Sequence, residues 1–486
     1  MKKQILFLTT LLAIVLLNCS TTPAQVLQQD SLALDSLALV AFYNSTGGPN
    51  WDNNANWLTG PVGTWYGVTV EGDRVVELGS AGNFSFNNLT GHLPSEIGDL
   101  TALQKLVPGN NPGLTGEIPA EIGNLQQLRL IGTGNCSLIG TIPNSIGNCT
   151  LIRNLSLREN NLTGLIPPEI GNLDSLIFLD LHDNQLTGII PPELGNLENL
   201  EWLKLNNNLL TGTIPEEITY LENLELLCLQ HNQLSGQLPV YLSNLFYPLQ
   251  WDIISINVSN NLFSGPVPDE WGELSFYISS LDISNNHFTS LPDAQFNYMI
   301  DFFTLDFNDL RFEDLEPHYL MYLNGNYCTF DFEPQSTMME EIDTVLIPGS
   351  SISIYAGTGG EHVLYYWLKN SQHMEYISLD TDTLHLENIT IDDAGMYECE
   401  AVNTLVPYNM WRKPLHITID TTGVGTQNIQ PRQNQIYVYP NPAGEQVYLK
   451  FPHQTGVTEV RIFDMQGKIV FTKEISHIAQ NASLNI

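Results

Sequence analysis

Adjacent His182 and Asp183, with His231 further along the chain, offer an imidazole–carboxylate pair and a second imidazole. Such groups can hold a metal ion or move a proton, provided they converge. If the chain repeats with one strand per repeat, the two histidines stand two repeats apart. At about 4.8 Å per strand that separation is about 10 Å, too far for shared ligation. The sequence contains no HExxH, GxSxG or GxxxxGK[ST] motif, and no strand-turn-helix unit bearing GxGxxG. A chain that is not an enzyme and carries no metal or cofactor is expected.

A different chemistry comes from Phe178, Trp202 and Leu226, which recur every 24 residues, each one place before a leucine. In a strand, residues two apart share a face, so these three would form one apolar stripe on neighbouring strands. The next outward column holds Asp180, Lys204 and Cys228, and the one beyond begins with His182, Asn206 and Gln230. An aromatic anchor rimmed by polar groups is how binding hot spots are built. Phe178, Trp202, Leu226, Asp180, Lys204 and His182 are therefore the candidate ligand-binding residues. The alternative is that nearby side chains cover the stripe.

What must position them is a repeat. The hexapeptide LTGxIP or a variant starts at Leu89, Leu114, Leu138, Leu162, Leu186, Leu210 and Leu234. Upstream of each runs LxxLxLxxN, as in Leu176, Leu179, Leu181 and Asn184, with weaker copies continuing to Leu305 and Asn308. One coil cannot bury its leucines alone, so stability must come from its neighbours. The LxL segment reads as a short strand of a parallel sheet, and the asparagines as a ladder of buried amides. Glycine supplies a tight bend and proline fixes φ on the far side.

The pattern LTGxIPxxIGNLxxL resembles the plant-type leucine-rich repeats of plant receptor ectodomains and secreted bacterial proteins. The resemblance covers about 75–315. It implies a right-handed solenoid with a concave strand face, a second shorter strand layer near the LTG segment, and ligand recognition. Ahead of the repeats, Leu32, Leu37, Val40 and Tyr43 predict a one-sided helix with Asp30 as its N-cap. Trp51, Trp57 and the run Trp65 to Val68 resemble the N-terminal cap of such proteins without its paired cysteines, so the cap must rest on aromatic packing.

Two smaller modules follow. Ile352, Ile354, Trp367 and the run DAGMYEC at 393–399 resemble an immunoglobulin-like sandwich. That resemblance makes Trp367 the core tryptophan and Tyr397 the corner tyrosine. Ala356 stands where the family places the partner of Cys399, so Cys399 is expected to be a buried thiol. The segment YVYPNPAGEQVYLKF from Tyr437, with VRIFDMQGKIVF from Val460, resembles the type A sorting domain of the Bacteroidota type IX secretion system, with about a third of the domain missing.

Lys2, Lys3 and the apolar run Ile5–Leu17 read as a secretion leader cleaved after Ala24, with Cys19 as a lipidated alternative. No apolar run is long enough to span a bilayer. Cys136 replaces a ladder asparagine and Cys149 a core leucine, either as two buried thiols or as a disulfide. A net charge of −36 argues against nucleic acid as a partner.

The fold class expected is a leucine-rich-repeat solenoid followed by an all-β immunoglobulin-like sandwich and a partial β-sandwich sorting domain. Its organisation reads as a signal peptide at 1–24, a cap at 25–73, a solenoid of about ten repeats at 74–323 and a sandwich at 336–419. A linker at 420–435 and the sorting domain at 436–486, expected to be truncated, complete it. The function expected is a secreted or cell-surface adhesion or binding protein, exported through the periplasm by the type IX machinery, with a protein, peptide or glycan as ligand. The alternative is a structural spacer of the cell envelope without a ligand.

Overall fold

The computed structural model describes residues 31–240, 242, 254–271, 278–292, 300–325, 327–339, 341–374 and 381–421, and five strands between 437 and 485. The expected leader and the PNP motif at 440–442 lie outside the described residues. So does most of the expected linker. Two compact units are present, 1–419 and 420–486.

The consensus leucines fold as their spacing requires. Leu176, Leu179, Leu181, Leu200, Leu203 and Leu205 are all buried. Each LxL segment is a strand paired in parallel with its equivalents in the coils before and after, giving a twelve-stranded sheet from Val68–Glu71 to Tyr327–Asp331. The first two strands of that sheet are antiparallel. The LTG segments form a second, nine-stranded layer from Gly91–His92 to His287–Ser290, and short 3-10 turns such as Pro168–Asn172 connect the layers.

The asparagine ladder is closed in every coil named below and interrupted at one. Asn208 donates to the carbonyls of Leu181 in the preceding coil (3.0 Å) and of Leu205 in its own (3.1 Å), and its Oδ1 accepts from the N–H of Leu186 (3.0 Å). The same pattern recurs at Asn160, Asn184, Asn232, Asn261, Asn286 and Asn308. Each of these ladder amides thereby replaces the water it left. Cys136 breaks the ladder, and the Leu114 N–H turns to the Asn111 carbonyl instead. Cys136 and Cys149 are buried and free, which removes the disulfide alternative.

Glycine in LTG has a second reason beyond its bend. Gly188 and Gly212 have φ near +80°, and a Cβ there would meet Leu165 Cδ2 at 2.4 Å and Ile189 Cγ2 at 2.9 Å. The residue after each LTG lies across the glycine of the next coil.

At the N-terminal end a helix, Ser31–Ser45, covers the first coil, but with a different face from the one its leucines suggested. Leu37 is exposed, whereas Asp35, Ser36, Ala38, Leu39, Phe42 and Tyr43 are buried. The reason is electrostatic: the Asp35 carboxylate accepts from the Arg74 guanidinium (3.0 and 3.1 Å) and from the Val75 N–H (2.7 Å). Trp51, Trp57, Phe42, Tyr43 and Phe84 pack on one another with ring centroids 5.0 to 6.4 Å apart, the aromatic plug that stands in for cap cysteines.

The expected end of the solenoid at 323 coincides with the end of a helix, Phe312–Leu323, and the sheet runs one strand further, through Tyr327–Asp331. That helix docks the next module. Buried Glu316 accepts from the N–H groups of Glu361 (3.0 Å) and His362 (3.2 Å) and from the Asn403 amide. The module has a five-stranded sheet ordered Ile342–Leu346, Asn409–Ile419, Gly395–Asn403, Val363–Lys369, Gln372–His373, and a two-stranded ladder of Ile352–Tyr355 with Thr383–Leu386. In the second unit, 437–438, 446–450 and 481–485 form one small sheet, and Thr458–Phe463 pairs antiparallel with Ile469–Ile475.

Candidate functional site

The parallel register sets the candidate residues side by side. Phe178, Trp202 and Leu226 are mutual partners across three adjacent strands, and so are Asp180, Lys204 and Cys228. Because these residues flank buried Leu179, Leu203 and Leu227 on either side in their strands, they must face outward.

Trp202 is 40% exposed, while Phe178 and Leu226 are half-buried, so the stripe is open at its centre and partly covered at both sides. Three contacts hold the indole. Phe178 meets it edge to face (4.9 Å between centroids, 82° between planes), and Lys204 Nζ lies 5.1 Å from the ring centroid. Its Nε1–H donates to Glu225 Oε2 at 3.3 Å. An aromatic residue fixed before the ligand arrives has less rotamer freedom to lose on binding.

His182 belongs to a separate polar corner. Its Nδ1 hydrogen-bonds Asp180 and its Nε2 lies 3.4 Å from Asp183 Oδ2. His231 is exposed in a left-handed turn and has no contact with it. Among the described residues, no group of three or more His, Cys, Asp or Glu side chains is arranged to hold a metal ion. Cys228, the outward neighbour of Lys204, has its thiol pKa pushed up by burial, with Lys204 acting against that shift.

One contributor was missed by the sequence reading. Glu225 fixes the indole, and it stands one place before its strand, a position shared by Arg129, Arg153, Ile177 and Glu201 in other coils. The signal was available as the residue preceding each outward column. It went unread because strict alternation points that residue inward, whereas the chain is still turning there and leaves Arg129 and Arg153 exposed.

Comparison with protein families finds the Leucine rich repeat at 151–173 and 179–234 and the Secretion system C-terminal sorting domain at 437–486. Comparison with curated protein sequences finds no match. Among solved structures, a plant ice-binding protein is 27% identical with a TM-score of 0.50, over 58% of this chain and 89% of that one. The plant peptide hormone receptor RGFR1 in complex with RGF2 is 32% identical (TM-score 0.39, 47% of this chain, 43% of that one). The ectodomain of GASSHO1/SCHENGEN3 from Arabidopsis thaliana is 29% identical (TM-score 0.45, 56% of this chain, 38% of that one). The chain thus spans less than half the length of those two receptors. No helix among the described residues is long and apolar enough to cross a membrane. The chain carries leucine-rich repeats and, at 437–486, a secretion-system sorting domain that implies export to the cell surface or the medium.

Proposed function

We propose that this is a secreted or cell-surface binding protein without catalytic activity, which holds a protein, peptide or glycan on the concave face of its solenoid. The observation that carries this reading is Trp202, a large aromatic side chain left open at the centre of the sheet yet held by Phe178, Lys204 and Glu225. Isolated exposed apolar residues are ordinary on soluble proteins, whereas a fixed aromatic rimmed by charge is what binding energy concentrates on. The sorting tail supports delivery by the type IX machinery, following cleavage of the leader after Ala24.

The module at 336–419 is read as immunoglobulin-like, serving as a second surface or a spacer. Trp367 pairs with Cys399 across adjacent strands, the Tyr397 hydroxyl donates to the Asp393 carbonyl at 2.8 Å, and Ala356 is buried in place of a second cysteine.

Arrays of peptides and glycans probed with the full chain and with Trp202→Ala test the reading. Ligands retained by the parent and released by the variant support it. Equal retention by both moves the site off the stripe.

A second reading is favoured by one observation on the other layer. Thr163, Thr187 and Thr211 repeat at the same coil position beside exposed Leu165 and Ile189, an uncharged and regular face, and the solenoid is similar to a plant ice-binding protein. Thermal hysteresis that disappears in Thr187→Lys would support ice as the ligand of that face, and its absence in the parent would remove the reading.

A further inference from the structure

The chain is strongly acidic, yet its few cations are not scattered. Between Gly79 and Leu310 there are five basic residues, Lys105, Arg129, Arg153, Arg158 and Lys204, and all lie on or beside strands of the concave sheet. None lies on the second layer or the 3-10 turns. Four of them occupy three successive coils at the N-terminal end of the sheet. Arg158 is paired with Glu159 and Lys105 with Glu77, at 2.7 Å for the latter. The exposed guanidinium groups of Arg129 and Arg153, one coil apart, have neither a hydrogen bond nor an ion pair among the described residues.

The opposite end of the same face is acidic. Asp282 and Asp331 occupy the same outward column as Asp180 and Lys204, and Asp306 stands two residues beyond Thr304 of that column. The Asp306 pKa is raised by burial, and the nearby charges of Asp282 and Asp331 add to the shift. Between the two ends lie Phe178, Trp202 and Leu226.

We infer that the ligand is a charge-segregated polypeptide segment. Its acidic end lies over Arg129 and Arg153, an apolar or aromatic side chain sits on Trp202, and its lysine- or arginine-bearing end reaches Asp282 and Asp306. The inference rests on the concave-face reading and names its partner. From the Arg129 strand to the Asp306 strand is seven strand steps, about 34 Å at 4.8 Å per step, which an extended peptide of about ten residues spans. A uniform polyanion such as a uronate polysaccharide would gain at the arginines but place its far end over carboxylates in a chain of net charge −36. A uniform polycation would meet the arginines. Complementarity along a face selects partner and direction together.

The test is selection of a displayed library of random twelve-residue peptides on the full chain, with polygalacturonate fragments as a second probe. Enriched peptides should carry Asp or Glu at one end, an aromatic residue centrally and Lys or Arg at the other. Their affinity should fall at least tenfold in Arg129→Glu/Arg153→Glu and recover when the peptide's acids are exchanged for lysines. The variant's unfolding midpoint and circular dichroism establish that it is folded, and Arg129→Ala/Arg153→Ala repeats the measurement without reversing charge. Absence of enrichment, enrichment without charge segregation, or tighter binding of polygalacturonate overturns the inference. Peptides that need Trp202 but ignore the arginine pair would retain the concave-face reading and overturn the polarity.

Discussion

Phe178 and Trp202 stand one strand apart and meet edge to face, with 4.9 Å between ring centroids. The contact joins two residues separated by one repeat, so it exists only because the coils stack in register. It directs the positive edge of one ring at the negative face of the other, worth about 1 kcal/mol beyond the area buried. Phe178→Ala should therefore leave the solenoid folded, increase the mobility of the indole and weaken ligand binding by about 1 kcal/mol. Tryptophan fluorescence anisotropy and a titration on the same sample check it. An unchanged affinity would mean that Trp202 is positioned by Lys204 and Glu225 alone.

Thr133 occupies the place that Leu157, Leu181, Leu205 and Leu229 take in later coils. Its hydroxyl is buried without a hydrogen-bond partner, beside an apolar void of about 10 Å³ lined by Leu106, Ile131, Ile142 and Leu157. A space that small, with one polar group, does not hold a water well. Thr133→Val keeps the shape and removes the unpaired hydroxyl, so it should stabilise the protein by about 1 kcal/mol. A lowered denaturation midpoint would contradict this account of the defect.

Asp314 in the first turn of helix Phe312–Leu323 has its pKa raised to about 6, chiefly by burial and further by the charge of Glu313. Its carboxyl accepts the Arg311 N–H at 3.0 Å. With a folded pKa above the unfolded value, the native state binds more protons between about pH 4 and pH 6. Stability should fall as pH rises through that window and level off above it. Asp314→Asn keeps an acceptor and never ionises, so it should remove this slope and raise stability at pH 7 by on the order of 2 kcal/mol. Chemical denaturation at pH 4.5 and pH 7 for parent and variant checks it, and parallel profiles would contradict it.

Cys399 is fully buried and its thiol is pushed up to about 12 by desolvation, whereas Cys328 is exposed. The thiolate is the reacting species. Timed labelling with a thiol reagent at neutral pH should modify Cys328 in the native protein and Cys399 only as the chain unfolds. Native-state labelling of Cys399 would contradict the packing around Trp367.

The solenoid was legible because its determinants are local and repeated: Leu179 and Leu203 are buried, and Asn184 and Asn208 are bonded, for reasons each coil states afresh. Burial of Asp35 and Glu316 was not legible, since their partners lie 39 residues away at Arg74 and 45 to 87 away at Glu361 and Asn403. The outward columns of the site could be read from period alone. Side-chain placement within them could not, because the Glu225 contact and the half-burial of Phe178 depend on rotamers that spacing does not specify.

In the proposed function, Trp202 anchors the ligand. The most direct measurement is a calorimetric titration of one array-selected ligand into parent and Trp202→Ala, with the unfolding midpoint of both recorded alongside. A loss of about 2 kcal/mol or more, roughly 30-fold in Kd, with an unchanged midpoint is the result expected. Equal affinity in a folded variant would contradict the account and place the ligand elsewhere on the molecule.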